Sequence, residues 1–91
     1  MGEYELETAL AAIPLGYSEG SYAGQRYGAT LQRSEDGRRI SLFARQLGGT
    51  DIVSFNLYRL SSGKAALKPC EMSSEKVVAF VLGYVADHTA S

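Results

Sequence analysis

A chain of 91 residues has room for one modest hydrophobic core and not for two, so a single domain over 1–91 is expected. With 45% hydrophobic and 21% charged residues, the composition excludes disorder as the default state. The formal charge of −1 conceals an asymmetry: residues 26–68 carry eight basic and three acidic side chains, whereas residues 1–25 carry four glutamates and no basic residue.

The longest apolar run, Val77–Leu82, falls far short of the roughly 20 residues that cross a bilayer. Three early glutamates stand where a signal peptide would be basic, and Met1-Gly2 is followed by Glu-Tyr-Glu-Leu, which lacks the Ser or Thr of a myristoylation signal. A cytoplasmic protein with no membrane association is expected. Cys70 is the single cysteine, so no intramolecular disulfide forms and no metal-ligand spacing is present.

Residues 3–13, EYELETALAAI, place Leu6, Ala9, Leu10 and Ile13 at helical spacing before Pro14, which predicts a short helix. The alternation of Glu3, Glu5 and Glu7 with Tyr4 and Leu6 makes an edge strand the competing reading. Residues 14–28 hold glycines at 16, 20, 24 and 28 and tyrosines at 17, 22 and 27, a spacing that suits neither a long helix nor a regular strand. A loop is expected there, so that residues 1–25 form a leader and a Gly/Tyr-rich loop.

Residues 26–68 read as a four-stranded antiparallel meander: about Tyr27–Arg33, Arg38–Leu47, Asp51–Leu60 and Lys64–Lys68. A Gly48-Gly49 turn sets Ile40, Leu42 and Ala44 opposite Leu57, Phe55 and Val53, all on one face. A Ser34-Glu35-Asp36-Gly37 turn that pairs Arg33 with Arg38 sets Leu31 opposite Ile40, Ala29 opposite Leu42 and Tyr27 opposite Ala44. A Ser61-Ser62-Gly63 loop sets Leu57 opposite Leu67 and Arg59 opposite Ala65.

Ser73-Ser74-Glu75 is a helix start, and a helix over about Ser74–Asp87, within 73–88, is predicted from the stripe Val77, Phe80, Val81, Tyr84 and Val85. Four β-branched valines and Gly83 count against it, so a fifth strand over 76–85 is the alternative. The fold class is α+β, the helix lying across the apolar sheet face.

The other face follows from the same registers and is polar and basic. Thr30, Arg39, Ser41, Phe43, Asn56, Tyr58 and Lys68 are its candidate binding residues, which predicts a small non-enzymatic binding or regulatory module that meets an unknown protein or small molecule. Arg26, Arg39, Arg45, Phe43 and Tyr58 support a nucleic-acid-binding sheet as the alternative, because aromatics stack on bases and arginines hold phosphates. Against both stands a second layer over Phe43 and Tyr58, supplied by the acidic N-terminal segment or by another subunit.

Cys70 precedes a helix start, which lowers thiol pKa values, while Glu71 opposes that effect. A small thiol enzyme is the third functional reading, although a lone cysteine is expected to be a small buried hydrophobe. Any Cys-His or Ser-His pair would need His88, the only histidine. Glu35-Asp36 is accounted for by its turn. The glycines of 16–28 are not followed by Gly-Lys-Ser/Thr, and Gly63-Lys64 is followed by Ala. No catalytic residue, cofactor or metal is assigned.

Val78, Leu82 and Val85 extend the apolar arc of the C-terminal helix beyond one sheet face, and the strand Tyr27–Arg33 is an edge without a charged guard. A homodimer covering both is expected. The N-terminal helix, through Leu6, Leu10 and Ile13, is the competing cover.

Overall fold

A computed structural model describes residues 3–87, so His88 lies outside the described residues. The described chain is an α+β fold of two helices and one six-stranded antiparallel sheet. The elements run α1 (Glu3–Ala11), β1 (Gly16–Tyr22), β2 (Gln25–Arg33), β3 (Arg39–Gln46), β4 (Ile52–Arg59), β5 (Ala65–Pro69), α2 (Ser74–Gly83) and β6 (Val85–Ala86). The spatial order β5-β4-β3-β2-β1-β6 is a five-stranded meander, after which α2 carries the chain back to the far edge. No described helix is long and apolar enough to cross a membrane.

Residues 3–11 are helical because burial rewards the 3.6-residue period. Leu10 and Ile13 enter the core and Leu6 and Ala9 pack beside it, contacts that an edge strand would have split between two faces. The amides of Ala12 and Ile13 donate to the carbonyls of Ala9 and Leu10, tightening the last turn before Pro14.

The expected loop over 14–28 is a β-hairpin instead. Its turn, Ala23-Gly24, holds both residues at positive φ (+52° and +78°), the requirement of the two-residue loops that match strand twist. β1 escaped the pattern because its inward positions are Ser18, Gly20 and Tyr22, with no aliphatic side chain among them. Gly20 is buried under Tyr84: a Cβ there would meet the Tyr84 ring and the backbone of Val85 and Ala86.

The β3–β4 pairing is as read from the sequence, Ile40, Leu42 and Ala44 facing Leu57, Phe55 and Val53, and so is β4–β5, with Leu57 opposite Leu67. The β2–β3 pairing differs by two residues: Leu31 faces Leu42, Ala29 faces Ala44 and Arg33 faces Ile40. The Ser34–Gly37 turn forms, its last amide donating to the Ser34 carbonyl. Arg38 then joins the loop. Asp36 accepts from the Ser34 hydroxyl and the Arg38 amide, and the Ser34 amide closes on the Arg39 carbonyl. A shift of two preserves every side chain's face, so hydrophobic patterning could not detect it.

Ser73 caps α2, its hydroxyl accepting from the Lys76 amide at 3.1 Å. The helix stops at Gly83 rather than Asp87, and Val85–Ala86 pair with Ser21 and Gly20 of β1. Val77, Phe80, Val81 and Tyr84 are buried, whereas Val85, expected in the stripe, is 65% exposed. Gly83 lies against the Tyr22 ring, and a Cβ would come within 2.9 Å of it, which accounts for a helix-disfavouring residue at this position.

Both helices pack into the core formed by the inward residues of the sheet. Phe80 is its hub, with Tyr22, Tyr27 and Tyr84 at centroid separations of 5.1–5.3 Å for its three ring contacts. Asp51, in the β3–β4 loop, accepts from the Tyr27 hydroxyl (2.7 Å) and from Lys76 of α2 (2.6 Å). Burial together with that hydrogen bond pushes the Tyr27 phenol up to about 12. Arg59 at the end of β4 pairs with Glu7 of α1.

Two grounds for the expected homodimer change. β2 is not an edge, since β1 lies beside it, and α1 packs on α2, while Leu82 and Val85 stay exposed.

Candidate functional site: the open sheet face

Alternation along five strands sends every second side chain away from the helices. With the observed registers, the outward rows are Tyr17–Thr30–Phe43–Ser54, then Gln32–Ser41–Asn56–Lys68, then Arg39–Tyr58–Ala66, and at the other end Glu19–Gly28–Arg45–Ile52. The expected residues Thr30, Arg39, Ser41, Phe43, Asn56, Tyr58 and Lys68 do share this face. The two-residue slip replaces the Thr30–Ser41 and Gln32–Arg39 neighbours with Thr30–Phe43 and Gln32–Ser41.

No described element covers this face. The acidic N-terminal segment, a candidate second layer, packs on the opposite side, with Leu10 and Ile13 in the core. Tyr17, Phe43, Ile52 and Tyr58 are exposed at 61%, 48%, 45% and 37%, more apolar surface than an ordinary solvated sheet presents. Between the rings lie small side chains: Thr30, Ser41 and Ser54 around Phe43, and Ala66 beside Tyr58. The rings therefore stand apart. From strand spacing and rise, Phe43 is about 10 Å from Tyr17 and roughly 14 Å from Tyr58.

Tyr17 and Glu19 belong to the site and were missed with β1. The Tyr17 hydroxyl donates to Glu19 Oε2 at 2.9 Å, and this bond to a carboxylate pushes the phenol's pKa up, nearby Arg45 opposing it. The Tyr17 ring lies over Gly28, where a Cβ would sit 2.5 Å from its hydroxyl, so the missing side chain of Gly28 is what lets the tyrosine lie flat on the sheet.

The face carries four cations, Arg26, Arg39, Arg45 and Lys68, against two carboxylates, Glu19 and, opposite it at the edge, Asp87. Arg26 is engaged: it holds Asp87 through two bonds of 2.9 and 2.5 Å, which keep the Asp87 carboxyl below the usual range. Arg39, Arg45 and Lys68 are exposed and make no ion pair among the described residues. At one end of the face Arg39 and Arg33 flank a cleft of about 430 Å³, lined also by Leu15, Gln32, Ser34 and Ser41. Arg33, Arg39, Gln32 and Ser41 can donate to an anion there, the Ser34 hydroxyl being given to Asp36.

Cys70 is exposed, not the buried hydrophobe expected, because it lies beyond Pro69 at the sheet's rim, where only its backbone amide is bonded, to the Ser54 carbonyl. No acid or base is bonded to its thiol among the described residues, and the chain brings no nucleophile and base together there. No cluster of three or more His, Cys, Asp or Glu that could hold a metal occurs among the described residues. Compared with known proteins, the chain matches no family model, no curated protein and no solved structure.

Proposed function

We propose that the protein is a small non-enzymatic binding module that engages an anionic partner with its open sheet face. One observation carries the reading: five strands present exposed rings, and cations that make no ion pair among the described residues, on a face that no described element covers, while the chain as a whole is slightly acidic. Acidic charge sits elsewhere, on Glu5 and Glu7 of α1 and Glu75 of α2. The molecule is thus electrostatically two-sided, which orients an approaching anion toward Arg39, Arg45 and Lys68.

Retention on immobilised heparin tests this. The protein is expected to bind at low salt and elute as salt rises; Arg39→Glu with Arg45→Glu should pass through, while Arg38→Glu with Lys64→Glu, the same charge change in two turns, should still be retained. Equal loss in both double variants would refute a binding role for the face.

A homodimer remains compatible with this function if it uses α2. Val78, Ala79 and Leu82 lie on the helix side turned from the core, and joining two copies there leaves both sheet faces open. Sedimentation at micromolar concentration is expected to show a species of twice 9.8 kDa that Leu82→Glu dissociates.

A further inference from the structure

We propose that the anionic partner is a single-stranded nucleic acid whose bases stack on Phe43, Tyr17 and Tyr58 while its phosphates pass Arg45, Arg39 and Lys68; this rests on the binding-face reading above. Charge complementarity selects a polyanion, and the arrangement of the rings selects among polyanions. An acidic protein surface would need a contiguous apolar patch to desolvate, the core of any stable protein interface. Here the rings are isolated by Thr30, Ser41 and Ser54, and the exposed aromatics make no ring contact with one another. Isolated, upright or flat-lying π-faces beside cations are what separate bases on a flexible strand can use.

A duplex is disfavoured by shape, since its major groove admits a helix or a two-stranded ribbon and not a five-stranded face. A second copy is disfavoured by charge, because apposing two such faces sets Arg39, Arg45 and Lys68 against the same three cations. The cleft between Arg33 and Arg39, with the Ser41 hydroxyl, offers donors for a phosphate at the end of the path. The Tyr17–Glu19 bond fits the same design: it holds the ring down on Gly28 as a platform.

The test is fluorescence anisotropy with labelled 12-nucleotide oligo-dT and oligo-U, the dT strand annealed to dA, and polyglutamate as competitor. Single strands are expected to bind, with log K falling against log salt at a slope of about −2 for three phosphate contacts. Phe43→Ala with Tyr58→Ala should weaken binding by at least about tenfold with that slope unchanged, and Phe43→Trp with Tyr58→Trp should restore it. Arg39→Glu with Arg45→Glu should abolish binding. If the alanine variant binds as well as wild type, or if polyglutamate or the duplex binds as tightly as the single strand, the nucleic-acid inference is overturned while heparin retention leaves the binding face standing. If neither oligonucleotide nor heparin is bound, both fail.

Discussion

Asp51 joins the sheet to the helix layer, and removing it with Asp51→Ala has a magnitude that follows from its contacts. The Tyr27 hydroxyl, on a ring only 4% exposed, loses its acceptor, which costs about 1.5 kcal/mol for a polar group left unmet. The Lys76 pair adds little, because its side chains are 42% and 34% exposed; its share is about 0.3 kcal/mol. The sum, about 2 kcal/mol, lowers the melting temperature of a domain this size by roughly 10 °C. Calorimetry on wild type, Asp51→Ala, Tyr27→Phe and the double variant should give a coupling of about 1 kcal/mol. Hydrogen bonding to Lys76 first, and then to Tyr27, lowers the Asp51 carboxyl. The stabilisation is therefore present above the unfolded carboxylate value of about 3.9 and is lost as pH falls through the lower folded one. The gap between wild type and Asp51→Ala should narrow below about pH 4. Additivity within about 0.3 kcal/mol, or a gap that widens in acid, would refute the linkage.

Gly20→Val should drive Tyr84 and β6 off β1, seen as loss of amide exchange protection at Ser21 and Asp87 with the β3–β4 hairpin still protected. Glu19→Gln should bring the Tyr17 phenol back down toward its ordinary value in a spectrophotometric titration, since the carboxylate is what raises it. Cys70 should take up one equivalent of maleimide without denaturant, and Cys70→Ser should leave polyanion binding unchanged.

The central hairpin was legible because two independent signals, alternation and turn chemistry, converge on Leu42 opposite Phe55. Leu31 was misplaced because only loop length distinguishes Ile40 from Leu42 as its partner, and the Asp36-centred loop leaves six residues between Arg33 and its partner Ile40 instead of four. β1 was invisible for a different reason: its inner face is built for Tyr84 to lie on, with Ser18 and Gly20, so it lacks the aliphatic alternation that marks a strand. The site suffered accordingly. Its face and seven of its residues could be named from parity alone, but Tyr17 and Glu19 could not, and the neighbours of Thr30 changed with the register.

The last described strand guards the first. Ser18 and Tyr84, bonded at 2.9 Å, are 66 residues apart, and the Gly20–Ala86 pairing is as distant in the chain. The meander can zip up through neighbouring hairpins, each closing a short loop, whereas β6 docks only after α2 has crossed the sheet. During synthesis β1 is consequently an unprotected edge until Val85–Ala86 have been made and α2 has folded, and in the finished protein a two-residue strand is the first to open. Its Gly and Ser content, poor in the β-branched residues that drive edge-to-edge joining, limits the hazard of that exposure.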